Sequence, residues 1–214
     1  GDLTEYYTIW VHQIKTPIAA MRLLLQSGDG AQYRELSEEL QRIEQYVEMV
    51  LCYLRLDADS TDYVIKEYEL DELIRQAVRK YAASFIRKKL RLEYAPVNCR
   101  VLTDEKWMLF VLEQVLSNAL KYTKAGSISI SQESPGILCI RDTGIGIAPE
   151  DLPRIFEKGY TGYNGRSDKK ASGIGLYLCK RICRNLGHRI TAESAVGTGT
   201  VIRIDFRRAE LEVE

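Results

Sequence analysis

A repeat of apolar residues in the first quarter of the chain restricts its fold more than any other feature. Seven of these residues follow one another at alternating spacings of three and four: Tyr33, Leu36, Leu40, Ile43, Val47, Val50 and Leu54. This spacing places them along one side of a helix, as in a coiled coil or helical bundle. A second set with the same spacings lies upstream: Trp10, Ile14, Pro17, Met21 and Leu24.

The two predicted helices are joined by the turn-forming run Ser27–Gly30. So short a link makes the helices antiparallel neighbours. A hairpin of this size buries too little apolar surface to be stable alone. We therefore expect two copies of the chain to form a homodimer through a four-helix bundle. The predicted division places this hairpin in residues 1–58 and a second domain in residues 59–214.

The remainder of the chain mixes helical and strand patterns. The predicted helices begin near Asp71, Asp104 and Gly173, and Asp71 is expected to cap the first of them. The predicted strands are Tyr63–Tyr68, Arg91–Tyr94, Asn98–Leu102, Ser127–Glu133, Ile137–Asp142, Arg189–Ser194 and Thr200–Phe206. Helices interleaved with hairpins favour an α+β fold, in which helices cover one face of a mainly antiparallel sheet.

Composition excludes several classes of protein. Among 214 residues, 30 are Lys or Arg and 30 are Asp or Glu, so the chain lacks the basic excess of a nucleic-acid binder. No apolar run approaches the ~18 residues of a membrane span. The start at Gly1 resembles neither a signal peptide nor a native start, which suggests a fragment. The five scattered cysteines are expected to be free thiols in a reducing compartment.

His12 is the first candidate for chemistry. It lies about 160° around the predicted helix from both Trp10 and Ile14, away from the apolar stripe. Pro17 cannot donate to the carbonyl of Gln13, so the turn that holds His12 is expected to bend. A neutral imidazole is nucleophilic near neutral pH. His12 is therefore either a reactive nucleophile or an ordinary solvated histidine.

Three glycine-rich runs are the next candidates, Asp142–Ile147, Gly173–Leu176 and Gly197–Thr200. Each permits a tight turn or a close approach of backbone to a ligand. The second run opens a predicted helix, where free N–H groups can receive phosphate. Taken singly, such runs are more often turns than sites. Their spacing matches neither a Rossmann fingerprint nor a P-loop.

Two polar segments complete the set of candidates. Asn118, Lys121 and Tyr122 share one face of a predicted helix and offer an amide oxygen, a cation and a ring. They suit Mg²⁺ and nucleotide binding, or form an ordinary polar helix end. The glycine-rich, basic run Gly159–Ser172 contains Arg166, and it is either an anion-binding loop or a solvated linker.

The order of these motifs resembles that of bacterial sensor histidine kinases over essentially the whole chain. The resemblance implies a dimerisation and histidine-phosphotransfer hairpin, followed by an α/β-sandwich ATP-binding domain shared with gyrase, Hsp90 and MutL. The family's motifs fall on His12, then on Asn118, Lys121 and Tyr122, on Asp142, Gly144, Gly146 and Ile147, on Phe156, on Gly173, Ile174, Gly175 and Leu176, and on Gly197, Gly199 and Thr200.

The resemblance also implies roles for these residues. Asp142 would accept a hydrogen bond from the adenine amino group, and Tyr122 would line the adenine pocket. Asn118 would hold Mg²⁺ against the phosphates, with Lys121 nearby. The Gly159–Ser172 loop, with Arg166, would form the ATP lid. The imidazole of the phosphoacceptor would attack the γ-phosphate of ATP, and an aspartate of a response regulator would then receive the phosphoryl group.

The chain departs from the family at two positions. An acid usually follows the phosphoacceptor, but Gln13 stands there and cannot act as a base at neutral pH. This breaks the acid-x-x-Thr pattern that ends at Thr16 and disfavours phosphatase activity. Gln114 replaces an asparagine that many members carry, and it is a second candidate magnesium ligand. ATP-hydrolysing relatives have a glutamate there, and Glu113 is rotated ~100° away.

The sequence around His12 also resembles Firmicutes kinases that respond to cell-envelope antibiotics beside an ABC transporter. The resemblance implies a membrane anchor upstream of the chain, so that the fragment is the cytoplasmic portion of a membrane protein. The leading interpretation is an ATP-dependent protein-histidine autokinase. The alternatives are a dimeric signalling scaffold with a degenerate ATP site and a gyrase-type ATPase.

Overall fold

The chain separates into two compact units, Gly1–Asp62 and Tyr63–Glu214. The computed structural model describes residues 2–58, 61–160 and 173–208, without the side chains of residues 2–10 and of Gln13. No described helix combines the length and apolar character that crossing a membrane requires.

The first unit is a helical hairpin. Helix α1 spans Asp2–Gln26, continuing through Pro17, and helix α2 spans Ala31–Asp57. Gly30 has a φ of 102°, a conformation that glycine adopts without strain, and it permits the turn between them. The guanidinium of Arg22 on α1 forms an ion pair with Glu44 on α2. The two helices therefore pack as antiparallel neighbours.

The hairpin leaves much of the predicted apolar stripe exposed. Among the α1 side chains that the structure describes, Val11 and Ile18 are buried, and they lie about a quarter of a turn from the predicted stripe. Leu24, a member of that stripe, is 71% exposed. Four members of the stripe on α2 are also exposed: Tyr33, Leu36, Ile43 and Val50. The repeat predicts both helices, but its apolar residues are only partly used within one hairpin.

In its described residues, 63–160 and 173–208, the second unit contains three α-helices and seven strands. The helices are α3 (Leu70–Lys88), α4 (Glu105–Tyr122) and α5 (Gly175–Asn185). The strands are β1 (Ile65–Glu69), β2 (Arg91–Tyr94), β3 (Arg100–Asp104), β4 (Ser127–Ser134), β5 (Ile137–Asp142), β6 (Arg189–Ala195) and β7 (Gly199–Asp205). Strands β1 and β3 form an antiparallel ribbon, and the other five form a sheet in the order β2-β4-β5-β7-β6. Among the neighbouring pairs of described strands in this sheet, β2–β4 is parallel and the other three are antiparallel. The prediction of an α+β fold with a mainly antiparallel sheet is therefore confirmed.

The helices cover one face of the five-stranded sheet. Helix α4 packs against both α3 and α5. On β5 the side chains of Leu138, Ile140 and Asp142 follow one another at a period of two and all are buried, so they point to the same face. An apolar row therefore ends in a carboxylate at the C-terminal end of β5.

Several predicted limits differ from the structure by one or two residues, including the start of β1 at Ile65 and of α5 at Gly175, and two of the differences have a clear physical cause. Asp71 does not cap α3, because the helix begins one residue earlier and Glu69 occupies the cap position. Its buried carboxylate instead accepts hydrogen bonds from the N–H groups of Val97 and Asn98 and from the Tyr94 hydroxyl. Strand β3 begins at Arg100 and not at Asn98, because Asn98 has a left-handed φ of 47° that a strand cannot accommodate.

Candidate functional site

The buried carboxylate of Asp142 lies at the centre of the candidate site. Its Oδ1 atom accepts hydrogen bonds from the N–H of Gly144 at 2.9 Å and from the N–H of Thr200 at 3.3 Å. Within the described residues no hydrogen bond reaches Oδ2. Burial raises the pKa of the Asp142 carboxyl above its ordinary value, although the two backbone donors act in the opposite direction. One carboxylate oxygen is thus fixed, and the other is left to accept from a ligand.

Asp142, Thr200 and Ser194 lie directly opposite one another on β5, β7 and β6. Their side chains therefore stand on the same face of the sheet. The Ser194 hydroxyl lies 2.8 Å from the Thr200 hydroxyl, and it also accepts from the N–H of Ile147 at 2.7 Å. Sequence reasoning found Asp142, Ile147 and Thr200 but missed Ser194.

Three glycines allow the backbone to close around Asp142. A Cβ atom on Gly144 would lie 2.5 Å from the Tyr122 carbonyl oxygen and 2.8 Å from Asp142 Oδ1. On Gly146, with a φ of 74°, it would lie 2.1 Å from the Ala195 carbonyl oxygen, and on Gly199 it would lie 2.0 Å from the Asp142 carbonyl oxygen. Any other residue at these positions would force the backbone apart, so the glycines are required by close approach.

The loop after Asp142 is tied to its neighbours by backbone groups. The N–H of Ile145 donates to the Tyr122 carbonyl at 3.1 Å, and the N–H of Gly197 donates to the Ile145 carbonyl at 2.9 Å. The Thr143 hydroxyl accepts from the N–H of Ser127 at 3.0 Å. Thr143 was not among the predicted site residues, although it stands inside the Asp142–Ile147 run. The loop is therefore held rigidly between α4 and the β6–β7 turn.

Helix α4 carries the predicted amides and cation. Asn118 is half-buried, Gln114 is buried one turn earlier, and their spacing of four places them on one face. The Lys121 ammonium lies 5.2 Å from the centre of the Tyr122 ring. Glu113 forms an ion pair of 2.8 Å with Lys80 on α3. Its carboxylate therefore faces α3 and is not presented together with Gln114 and Asn118.

A backbone hydrogen bond joins the two ends of the predicted lid. The N–H of Gly159 donates to the Gly173 carbonyl at 2.8 Å. The ring of half-buried Phe156 lies 5.4 Å from the ammonium of Lys180 on α5. Ile174 is the N-cap residue of α5, and Gly175 and Leu176 form its first turn. Arg166 lies outside the described residues, so its predicted role stays a prediction.

The predicted phosphoacceptor belongs to the other unit. His12 is exposed on α1, as is Thr16 one turn later, and both lie on the same side of the helix. The side chain of Gln13 is outside the described part of the chain. The structure thus places a solvent-accessible imidazole on the hairpin, as the spacing from the apolar stripe predicts.

The residues around Asp142 fit an adenine nucleotide. Oδ2 can accept from an amino group, and the close packing of the three glycines against the Tyr122, Ala195 and Asp142 carbonyls fixes the backbone around this carboxylate. The Thr123 hydroxyl oxygen is fully buried without a partner among the described residues, and it lies 3.0 Å from where a Gly144 Cβ would stand. For Mg²⁺, the described residues contain no cluster of His, Cys, Asp or Glu. The amide oxygens of Asn118 and Gln114 suit a magnesium ion that takes its other ligands from phosphate and water.

Comparisons with known proteins agree with this geometry. Residues 103–210 match the model of the histidine kinase-, DNA gyrase B- and HSP90-like ATPases. Sensor histidine kinase YxdK of Bacillus subtilis is 34% identical over 94% of this chain and 64% of its own length. Sensor histidine kinase GraS of Staphylococcus haemolyticus is 37% identical over 96% of this chain and 60% of its own length. The chain thus spans less than two thirds of these curated relatives.

Solved structures show the same fold. Full-length ShkA in complex with AMPPNP superposes with a TM-score of 0.67 and 23% identity, covering 97% of this chain and 47% of ShkA. The catalytic domain of histidine kinase ThkA superposes with a TM-score of 0.59 and 22% identity, covering 68% of this chain and 96% of that domain. Because the family model covers half of the sequence and the fold agrees, this chain belongs to the family of histidine kinase-, DNA gyrase B- and HSP90-like ATPases.

Proposed function

We propose that this chain is the catalytic part of a protein-histidine autokinase that transfers the γ-phosphoryl group of ATP to His12. The observation that carries the proposal is the combination of two features in one chain. One is an exposed histidine on a helical hairpin, and the other is a buried carboxylate with one oxygen left to accept from adenine. The 34% identity with a sensor histidine kinase over most of the chain supports it.

The chemistry requires mainly positioning and neutralisation of charge. Asp142 accepts from the adenine amino group, and the close packing of Gly144, Gly146 and Gly199 fixes the backbone around its carboxylate. The N–H groups that open α5 attract phosphate. Mg²⁺, when bound, neutralises the phosphate oxygens, and Asn118, with Gln114 as a second candidate, would hold it. Lys121, in the last turn of α4, adds a cation on the same helix as Asn118.

At the hairpin, a nitrogen of the His12 imidazole forms a bond to the γ-phosphorus while the bond from phosphorus to the ADP oxygen breaks. One imidazole proton must then leave. Gln13 cannot accept it at neutral pH, because an amide is not a base there. Water or another carboxylate therefore takes the proton. The missing acid also argues against phosphatase activity at Thr16.

The amide at position 114 distinguishes this proposal from a gyrase-type ATPase. Hydrolysis requires a base that activates water, and Glu113, the neighbouring carboxylate, is paired with Lys80 at 2.8 Å. Gln114 has no proton-accepting group of useful basicity. The intact Asp142 site, with its two backbone donors and three close-packed glycines, argues against the other alternative, a scaffold with a degenerate ATP site.

Partners follow from the same proposal. The exposed apolar stripe on the hairpin suits a second copy of the chain, which gives a homodimer. An aspartate of a response-regulator receiver domain would accept the phosphoryl group from His12. As in the sensor kinases that it resembles, we place the chain on the cytoplasmic side of a bacterial membrane, joined to an anchor upstream and responding beside an ABC transporter.

The test is incubation of the chain with Mg²⁺ and γ-labelled ATP, alongside His12→Ala. We expect acid-labile label on the parent protein and none on the variant, with ATP binding by calorimetry unchanged in both. Release of free phosphate without protein label would instead indicate an ATPase. Nucleotide binding with neither label nor phosphate release would indicate a scaffold.

A further inference from the structure

A single hydroxyl group joins three parts of the candidate nucleotide site. The Oγ atom of Ser194 lies 2.7 Å from the N of Ile147, 2.9 Å from the Gly199 carbonyl oxygen and 2.8 Å from the Thr200 hydroxyl. Ile147 belongs to the loop after Asp142, and Gly199 and Thr200 open β7. Ser194 is therefore the side chain through which that loop is held against the strand beside Asp142.

The protons of this network can be assigned from valence alone. A carbonyl oxygen only accepts, so the 2.9 Å contact with Gly199 requires the single hydroxyl proton of Ser194. Ser194 then has no proton for Thr200, and the 2.8 Å contact between the two hydroxyls is made by the proton of Thr200. The N–H of Ile147 fills the remaining acceptor position on Ser194.

This proton arrangement makes the Thr200 hydroxyl a donor to Ser194 and an acceptor toward every other group. Its hydroxyl proton points to Ser194, so Oγ1 has only lone pairs left for any other group. Thr200 lies directly opposite Asp142 across the strands, and its N–H donates to Oδ1. The sheet thus presents two neighbouring acceptors, Asp142 Oδ2 and Thr200 Oγ1, and no side-chain donor from this pair.

We infer that Ser194 is a positioning residue that sets base specificity by holding Thr200 as an acceptor. This inference rests on the proposed binding of ATP at Asp142. An exocyclic amino group has two N–H donors and suits two acceptors, whereas a 6-oxo group would place a third acceptor against them. An unpaired buried acceptor weakens binding strongly, and such sites discriminate well between an amino and an oxo group.

The probes are the magnesium complexes of ATP and inosine triphosphate, which differ at the 6-position of the base, titrated into the whole chain by calorimetry. In Ser194→Ala the Thr200 proton is free to turn toward the base and donate to a 6-oxo group. We expect the ratio of the two Kd values, inosine triphosphate over ATP, to fall about five- to tenfold, the worth of one hydrogen bond.

Two further variants complete the experiment. Ser194→Thr keeps the hydroxyl and should keep the ratio of the parent protein. Thr191→Ala changes an exposed residue three positions earlier on β6 and should leave both Kd values unchanged. If Ser194→Ala weakens both nucleotides equally or abolishes both, its role is architectural and the inference is overturned. If the parent protein binds neither nucleotide, the proposed function itself fails.

Discussion

At the scale of single residues, Asp142 shows how a proposed ligand-binding group can cost stability. The carboxylate is only 9% exposed, and burial is the largest influence on its pKa, which is raised. A raised pKa means that folding favours the protonated form. The stability this group contributes is full below the pKa of the unfolded chain and is lost as pH rises through the folded pKa. At neutral pH the ionised carboxylate is therefore a cost to stability, which binding of the proposed nucleotide would offset.

Replacement of this carboxylate by an amide separates binding from stability. Asp142→Asn keeps an acceptor for the two backbone N–H groups but places an NH₂ group where Oδ2 stood. We expect ATP affinity to fall roughly 10- to 100-fold, since a hydrogen bond to a charged group is lost. The melting temperature at pH 7 should stay level or rise, with any gain disappearing toward pH ~4. Calorimetry and thermal melts measure both quantities, and Asp62→Asn is an exposed control.

His188 is a second buried titratable residue, remote from the proposed chemistry. It is 6% exposed, its Nε2 lies 2.9 Å from the Thr103 hydroxyl, and its ring lies 4.7 Å from that of Phe206. Its Nδ1 atom is buried without a partner among the described residues. Burial, with a smaller contribution from Arg208, lowers the pKa of His188 to about 4. The folded state therefore holds the ring neutral.

A depressed histidine pKa makes stability depend on pH in a defined window. The contribution is present above the unfolded pKa of 6.5 and is lost as pH falls toward 4. We expect the free energy of unfolding to decrease by about 3 kcal/mol across this window because of His188. Urea denaturation at several pH values measures it. His188→Gln should remove most of this slope, and an unchanged slope in the variant would contradict the assignment.

At the scale of elements, the apolar residues of the hairpin fall into two groups, one buried between α1 and α2 and one left exposed. Val11 and Ile18 on α1 are buried within the hairpin, while Leu24 of the neighbouring stripe is 71% exposed. On α2, Leu40 is buried whereas Leu36 and Ile43 are exposed. An exposed apolar stripe of this length indicates a partner surface. A four-helix bundle with a second copy would cover it.

This exposed stripe predicts that a single charged residue substituted into it dissociates the proposed homodimer. Leu36 is 48% exposed in the single chain, and glutamate has nearly the same helix propensity as leucine, so Leu36→Glu should keep α2 helical. In the dimer the charge would lie in the apolar seam and cost several kcal/mol. Light scattering should find monomer at concentrations where the parent protein is a dimer. Ser37→Glu, also exposed, should remain dimeric.

The elements themselves were largely predictable from local patterns, whereas the contacts between distant residues were not. The predicted limits of β2 and β5 match the structure, and the turn at Pro135 and Gly136 explains where β5 begins. Asp71 was misassigned because its partners, Val97 and Asn98, lie more than 20 residues away. Ser194 was missed for the same reason, since nothing adjacent to it in sequence indicates a hydrogen bond to Ile147.

At the scale of the whole molecule, net charge says little about the ligand. The chain has 30 basic and 30 acidic residues, yet a strongly anionic nucleotide needs only a few placed groups. The proposed chemistry instead depends on which unit supplies the reacting group. An autokinase must bind ATP in one unit without activating water there, so that the imidazole of the other unit is the nucleophile that reacts.

Because position 114 carries an amide and not a base, this division is testable. In a His12→Ala background, Gln114→Glu would place a carboxylate one helical turn before Asn118, where it could accept a proton from water. We expect phosphate release from ATP to rise at least about tenfold, a modest fraction of what a general base contributes. Gln114→Asn, which keeps an amide, should show no rise. A colorimetric phosphate assay measures the rates. An equal increase in both variants, or none in Gln114→Glu despite retained ATP binding, would mean that something other than the missing base limits hydrolysis.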